Sequence, residues 1–402
     1  MTLHETAETG KKFFIGSLFG LIGIFVLVIL FRIGITIKNA IFPPQLEPPN
    51  MAYGELPPLT FPLDAVPGEY TYTIDTRTGT LPDTGPLPDD LPDRLNVFPM
   101  VAPQPGLNSL ELAKTKIQKI GFTTKTGAAL PETPLGDEVY EWIESTGIKR
   151  KIIYDTVSFD FTLTSDYLTS ITVLSAQKIT DQNAAVAAVQ TFLGNISQLP
   201  PDINLDLTNI FDEEKHYITT PKLYNIVNGV LEPATSLSLT KAIRVDLYQK
   251  NVAYDLYTGE LDPAGEPKTR KIDYPILYPN PPFSTMNFIA ASGNSGLDIV
   301  NADFTHQEVN LTPDTVGTYP LKSATEAYDE LRAGKGYIAA NPTNNNDVII
   351  KSVYLAYYLG KEKQDYLMPI FVFEGKDGFF AYVSAIKETP IESPSGEPTP
   401  TE

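Results

Sequence analysis

The 402 residues contain no cysteine, which removes disulfides, thiolate zinc centres and cysteine nucleophiles together. Histidine is nearly absent as well. His4, His216 and His306 are the three in the chain, too few and too scattered to suggest zinc without cysteine support. There is a single tryptophan, Trp142, and no glycine-rich phosphate loop. Positive charge is also in short supply, with 30 Lys and Arg against 49 Asp and Glu and a net charge of −19. That balance opposes binding to nucleic acid or to anionic lipid and suits solubility, cations or a basic partner.

What is present is first a long apolar run. Phe13 to Phe31 reads FFIGSLFGLIGIFVLVILF, without a charge or a proline, between Lys11-Lys12 and Arg32. At 1.5 Å per residue it reaches about 28 Å, close to the hydrocarbon thickness of a bilayer. The run is too long for the apolar part of a cleaved signal peptide, and no small-x-small site follows it. The sequence therefore predicts a transmembrane signal anchor over residues 13–33. Residues 1–12 are then a cytoplasmic N-terminus, and the rest lies outside the plasma membrane in a single-pass arrangement. Gly10-Lys11 also suits a prepilin, but the acidic residue expected a few positions further on is missing.

Residues 43–67 carry eight prolines in twenty-five residues and read as a stiff stalk, or alternatively as a peptide for a proline-reading groove. Beyond them one order of elements recurs, a helix followed by strands. The three blocks are 68–178, 179–320 and 321–386, and a tail at 387–402 reads as disordered. In the first, Leu110, Ala113, Ile117 and Ile120 share a helix face. Asp181 heads the second helix and Ser323 the third. The fold class expected is α+β: one N-terminal transmembrane helix, then modules of a helix laid on an antiparallel sheet.

In the third block, Ile350 to Tyr358 (IKSVYLAYY), Tyr366 to Phe373 (YLMPIFVF) and Phe380 to Ala385 (FAYVSA) follow a helix. This order resembles the C-terminal module of the YycH/YycI-type extracytoplasmic regulators and, more loosely, the PepSY fold. Pro369 would match the proline of their penultimate strand and Tyr382-Val383-Ser384-Ala385 their last strand, where Ser384 stands in place of the usual Asn. The second helix and its strands look like the preceding module, so the similarity covers roughly residues 180–386. It implies a single-pass anchor and an exported domain that binds another envelope protein, in the best-known cases a sensor kinase. No catalytic residue comes with it.

Several constellations bear on chemistry. Asp202, Asn204, Asp206 and Glu213 have the oxygen-ligand spacing of an EF-hand loop, yet Leu207 stands where the sharp turn needs glycine. A solvated strand accounts for the same pattern, so this is a weak metal candidate. Gly293-Asn-Ser-Gly296 has the look of a serine-protease nucleophile turn, but its surroundings and those of His216 fit poorly, and a plain turn explains it. Trp142 reads as a core or groove anchor, or as a stacking platform. Paired acids such as Glu213-Glu214 could serve catalysis only if the fold set them across a cleft.

Aromatic residues crowd both faces of the last three strands. The Ser323 helix covers one face, which leaves Tyr357, Tyr366, Phe371 and Tyr382 as candidates for an aromatic protein-binding edge. The function expected is therefore a membrane-anchored, non-enzymatic regulatory or scaffolding factor of the bacterial cell envelope. It needs no cofactor, and its partners are the membrane and another envelope or membrane protein. Two alternatives remain: a module for cell-wall polymer or calcium, and an exported hydrolase with a buried ionisable pair in a cleft.

Overall fold

The computed structural model describes residues 48–62, 68–75, 91–144, 147–176, 179–204, 221–261, 267–293 and 296–387, together with Ile24, Phe25, Leu27, Val28, Ile29 and Phe31. The first half of this chain contains β1 (Thr71–Ile74), β2 (Arg94–Pro99), α1 (Ser109–Lys119), β3 (Thr133–Gly136), β4 (Val139–Ile143), β5 (Lys151–Asp155), β6 (Phe161–Thr164), α2 (Ile171–Ser175), α3 (Asn183–Asn195) and β7 (Ile203–Asn204). After these come β8 (Pro221–Val227), β9 (Val230–Pro233), β10 (Ala242–Gln249), β11 (Val252–Leu261), β12 (Pro267–Tyr274), β13 (Ile276–Leu277), β14 (Met286–Ser292) and β15 (Leu297–Phe304). The last are β16 (Gly317–Pro320), α4 (Ala324–Arg332), β17 (Tyr337–Ala340), β18 (Asp347–Tyr358), β19 (Tyr366–Gly375) and β20 (Phe380–Ser384).

The chain divides into two compact units, one of residues 1–48 with 255–271, the other of 49–254 with 272–402. In the first, the outer parts of β11 and β12 pair as a two-stranded ribbon. The second holds two large sheets. A ten-stranded sheet runs β3-β4-β5-β6-β15-β14-β10-β8-β9, with β7 also on β10. An eight-stranded sheet runs β1-β18-β19-β2-β16, joined by β13, β17 and β20.

The helices cover these sheets with apolar stripes. α3 turns Ala185, Val186, Val189, Phe192 and Leu193 inward at three- and four-residue spacing, onto β10, β14 and β15. α1 buries Ala113 and Ile117 in the same core as Trp142, Ile152 and Phe161. α4 opens on a capping box, in which Ser323 accepts from the Glu326 N–H and Glu326 accepts from the Ser323 N–H. Its Ala327 and Leu331 pack with Phe373, Ala381 and Val383 of the eight-stranded sheet.

Strand dominates, with 40% of the chain against 18% helix, so the α+β expectation is overturned. The three blocks do not each form their own sheet. Strands β3 to β6 of the first expected block continue directly into β15, β14, β10 and β8 of the second, while β2 crosses to β19 and β16. Pairing over such separations leaves no trace in local periodicity.

The transmembrane signal anchor expected over 13–33 is not supported either. Among the described residues no helix is long and apolar enough to cross a membrane. Ile24, Phe25, Leu27, Val28, Ile29 and Phe31 are helical and exposed, and the rest of that segment lies outside the described residues, as does the 387–402 tail beyond Lys387. Single-pass topology, with the N-terminus cytoplasmic and the remainder extracytoplasmic, loses its support with the anchor.

The described part of the proline-rich stretch is not a free stalk. Met51 N–H donates to the Thr318 carbonyl at 3.1 Å, and Tyr53 and Phe61 rest on Tyr366 and Tyr337 of the eight-stranded sheet. This cover explains β18. Its first half alternates between exposed and buried, and its second half, Val353 to Tyr358, is buried throughout because the N-terminal segment lies on one face and the shared core on the other.

Candidate functional site

A cleft of about 440 Å³ opens beside the end of the ten-stranded sheet. Its walls are the turn after α1 (Gly121, Thr123, Thr124, Lys125), Glu144 beyond β4, Ile148 and Arg150 before β5, Thr172 and Val173 of α2, and Ser292, Gly293, Asp298 and Val300 of the β14–β15 hairpin. Hairpin register sets the geometry, because Ala291 pairs with Asp298 and Ser292 with Leu297, and the turn closes as Gly293 N–H donates to the Gly296 carbonyl at 2.7 Å.

Arg150 is committed within the chain. Its Nε and Nη2 donate to the two oxygens of Glu144 at 2.9 and 2.5 Å, and Nη2 also donates to the Ile120 carbonyl at 3.1 Å. The guanidinium lies 4.9 Å from the centre of the Phe122 ring. A bidentate pair with a stacked arginine is rigid and leaves little positive charge to share.

Asp298 is the group left over. No hydrogen-bond donor among the described residues reaches its carboxylate, which lies so close against Gly293 that a Cβ there would collide with Oδ2. Burial pushes its carboxyl above the ordinary aspartate value; Arg150 opposes that push and Glu144 adds to it. Among the described residues the cleft thus holds two carboxylates and one guanidinium, together with the exposed Lys125.

Apart from the Gly293 to Gly296 turn, the residues singled out from sequence lie elsewhere. Asp202 accepts from Gln249 at 2.8 Å and meets His306 Nε2 at 3.0 and 3.2 Å. Burial raises its carboxyl, but the His306 hydrogen bond and charge outweigh that and hold it below the ordinary value. Asn204 sits in β7, and Asp206 and Glu213 lie outside the described residues, as do His4 and His216. Among the described residues no three His, Asp or Glu side chains stand together as metal ligands. Trp142 is fully buried in the core beneath α1.

The aromatic edge is corrected too. Tyr357 and Tyr382 have no exposed surface and Phe371 is 1% exposed, while Tyr366 is half-buried beneath Tyr53. Tyr357 donates to the Asn96 carbonyl at 2.8 Å and Tyr382 to the Tyr278 carbonyl at 3.1 Å. Both faces of these strands are covered within the chain, which the spacing of aromatic residues alone does not reveal. Glu144, Arg150 and Asp298 form no sequence motif. The one local trace of the cleft is the Gly293 to Gly296 turn.

No protein-family model matches this chain, and no curated protein matches it. Among solved structures, an uncharacterised protein from Eubacterium rectale ATCC 33656 aligns over 75% of this chain and 80% of its own, with 11% identity and a TM-score of 0.29. A score that low supports no assignment of fold or function.

Proposed function

We propose that this chain is a non-enzymatic protein-binding module, regulatory or scaffolding in role, whose cleft receives a basic side chain of its partner. The observation behind this reading is Asp298: a half-buried carboxylate on a cleft wall that no hydrogen-bond donor reaches among the described residues, beside an arginine already held by Glu144. An entering ammonium or guanidinium would supply the missing partner and relieve the repulsion between the two carboxylates. Binding accounts for the arrangement better than acid–base catalysis. Both oxygens of Glu144 are occupied by Arg150, which leaves the second carboxylate of a catalytic pair unavailable. α2 extends the surface past the cleft, since Ile171, 81% exposed, neighbours Thr172 on its wall.

Calorimetry on the full chain tests this with an arginine-bearing tripeptide and its citrulline counterpart, which keeps the shape and loses the charge. The arginine peptide is expected to bind the more tightly, and Asp298→Asn to weaken it by about tenfold or more, as loss of a partly buried charge partner does. Equal binding of both peptides, or no effect of Asp298→Asn, overturns the reading.

A further inference from the structure

On the outer face of the eight-stranded sheet, Tyr337, Tyr358 and Tyr382 form an aromatic surface, with both Tyr337 and Tyr358 6.0 Å from Tyr382 between ring centres. Phe61 lies flat on Tyr337 at 4.9 Å, with ring planes 3° apart, and meets Tyr358 edge-on at 4.9 Å. Earlier in the same segment, Tyr53 rests on Tyr366 at 4.7 Å and over Gly317, where an added Cβ would come within 3.0 Å of its ring.

The segment is held differently at its two ends. Asn50 and Met51 bond to Thr318, and Tyr319 bonds to Tyr53 and Gly54. From Glu55 to Pro62 no hydrogen bond joins the segment to the sheet among the described residues, and Pro57, Pro58 and Pro62 have no N–H to offer. Leu59 and Phe61 hold this stretch as side-chain anchors against tyrosines. Proline-rich segments dock on aromatic grooves in the same way, with a preformed backbone and few ladder bonds to break. The fit is also incomplete: the Tyr358 hydroxyl is buried and has no hydrogen-bond partner among the described residues, whereas Tyr337 and Tyr382 reach backbone carbonyls at 3.0 and 3.1 Å. An unpaired buried hydroxyl makes this cover easier to give up.

We infer that this face is a receptor for proline-rich segments and that residues 49–62 of a second copy of this chain are the ligand it exchanges with its own. The segment that fits the face is the chain's own, so a second copy makes the same contacts, and trading identical elements is a low-cost route to association. Glu55 is the single charge in residues 49–62, so the segment largely escapes the repulsion between molecules of net charge −19. The inference is independent of the Asp298 cleft.

Exchange is read by photocrosslinking between full-length chains. One preparation carries p-benzoylphenylalanine in place of Phe61, and the other is unsubstituted and uniformly labelled with nitrogen-15. After mixing and irradiation, mixed-isotope crosslinks from position 61 to peptides containing Tyr337 or Tyr358 are expected. They should grow with concentration and fall several-fold when excess synthetic peptide of residues 49–62 is added. A second preparation with the probe in place of Tyr53, reading Tyr366, guards against a local defect at position 61. Crosslinks confined to single chains at every concentration, from both positions, overturn the proposal, as does failure of the peptide to compete. Asp298→Asn is expected to leave the exchange unchanged.

Discussion

The Tyr357 hydroxyl donates to the Asn96 carbonyl at 2.8 Å, bridging 261 residues of sequence between β18 and β2. Its ring stands edge-on to Phe98 at 5.7 Å and to Tyr274 at 6.4 Å, so the phenol is both a packing element and a tie. Tyr357→Ala should therefore cost about 3 to 5 kcal/mol, the range for emptying a buried aromatic site. Tyr357→Phe, which removes the hydrogen bond alone, should cost about 1 to 2 kcal/mol. Chemical denaturation measures both. Near-equal stability of Tyr357→Ala and the unsubstituted chain would contradict the buried placement.

Gly293→Ala tests the cleft wall. The added methyl would meet Asp298 Oδ2, so the carboxylate has to leave its place. We expect a loss of about 1 to 3 kcal/mol, as for other overpacked sites. Weakened binding of the arginine peptide should accompany it, whereas Gly334→Ala, with open space where its Cβ would stand but at φ +75°, should lose stability through backbone strain and leave the peptide affinity alone.

Asp160 supplies a pH signature. Burial pushes its carboxyl up to about 6, against the hydrogen bonds it accepts from the His306 N–H and Ser158 and in spite of His306 nearby, with Asp155 adding to the push. The folded state then holds the proton more tightly than the unfolded state. The stability this contributes is complete below about pH 4 and is lost as pH rises through about 6. Asp160→Asn, which keeps an acceptor for the His306 N–H, should remove that loss. Its melting temperature relative to the unsubstituted chain should rise between pH 4 and 7, and a constant difference across that range would refute the assignment.

Lys116 is 8% exposed, and its ammonium lies 4.3 Å from the Phe159 ring centre with Tyr154 Oη at 3.5 Å. Burial lowers its pKa, with Lys119 adding to the effect, and among the described residues no carboxylate pairs with the charge. Lys116→Met keeps the stem and removes the ion, and is expected to stabilise the chain by about 1 kcal/mol in denaturant titration. Destabilisation would mean that the contact with Phe159 outweighs desolvation.

Local signals were readable in the sequence where one element decides them. Leu110, Ala113, Ile117 and Ile120 mark the inner face of α1, and Ser323 marks the start of α4. Partnership between distant segments was not readable. β2 is a six-residue strand whose neighbours β16 and β19 come more than two hundred residues later, and no alternation in RLNVFP names them. The same limit misplaced the aromatic edge: Tyr357 and Tyr358 look two-sided in sequence, and only the position of Phe61 shows what covers the second face. Asp298 stood out least, since its importance arises from the absence of a side chain at Gly293 and from the prior engagement of Arg150 by Glu144.

The ten-stranded sheet draws its strands from residues 133–304, whereas the eight-stranded sheet gathers residues 71–74 and 94–99 from before that stretch and 317–384 from after it, with only the two-residue strand β13 from within it. During synthesis the early strands emerge with nothing to pair with until β16, β18 and β19 have been made, so they wait as unpaired edges. Closure of the eight-stranded sheet carries most of the loop-closure entropy and should be the slow step of folding. Pulse-labelled hydrogen exchange during refolding should find the β14 and β15 amides protected before those of β1 and β18. Simultaneous protection would show that both sheets form in one concerted event.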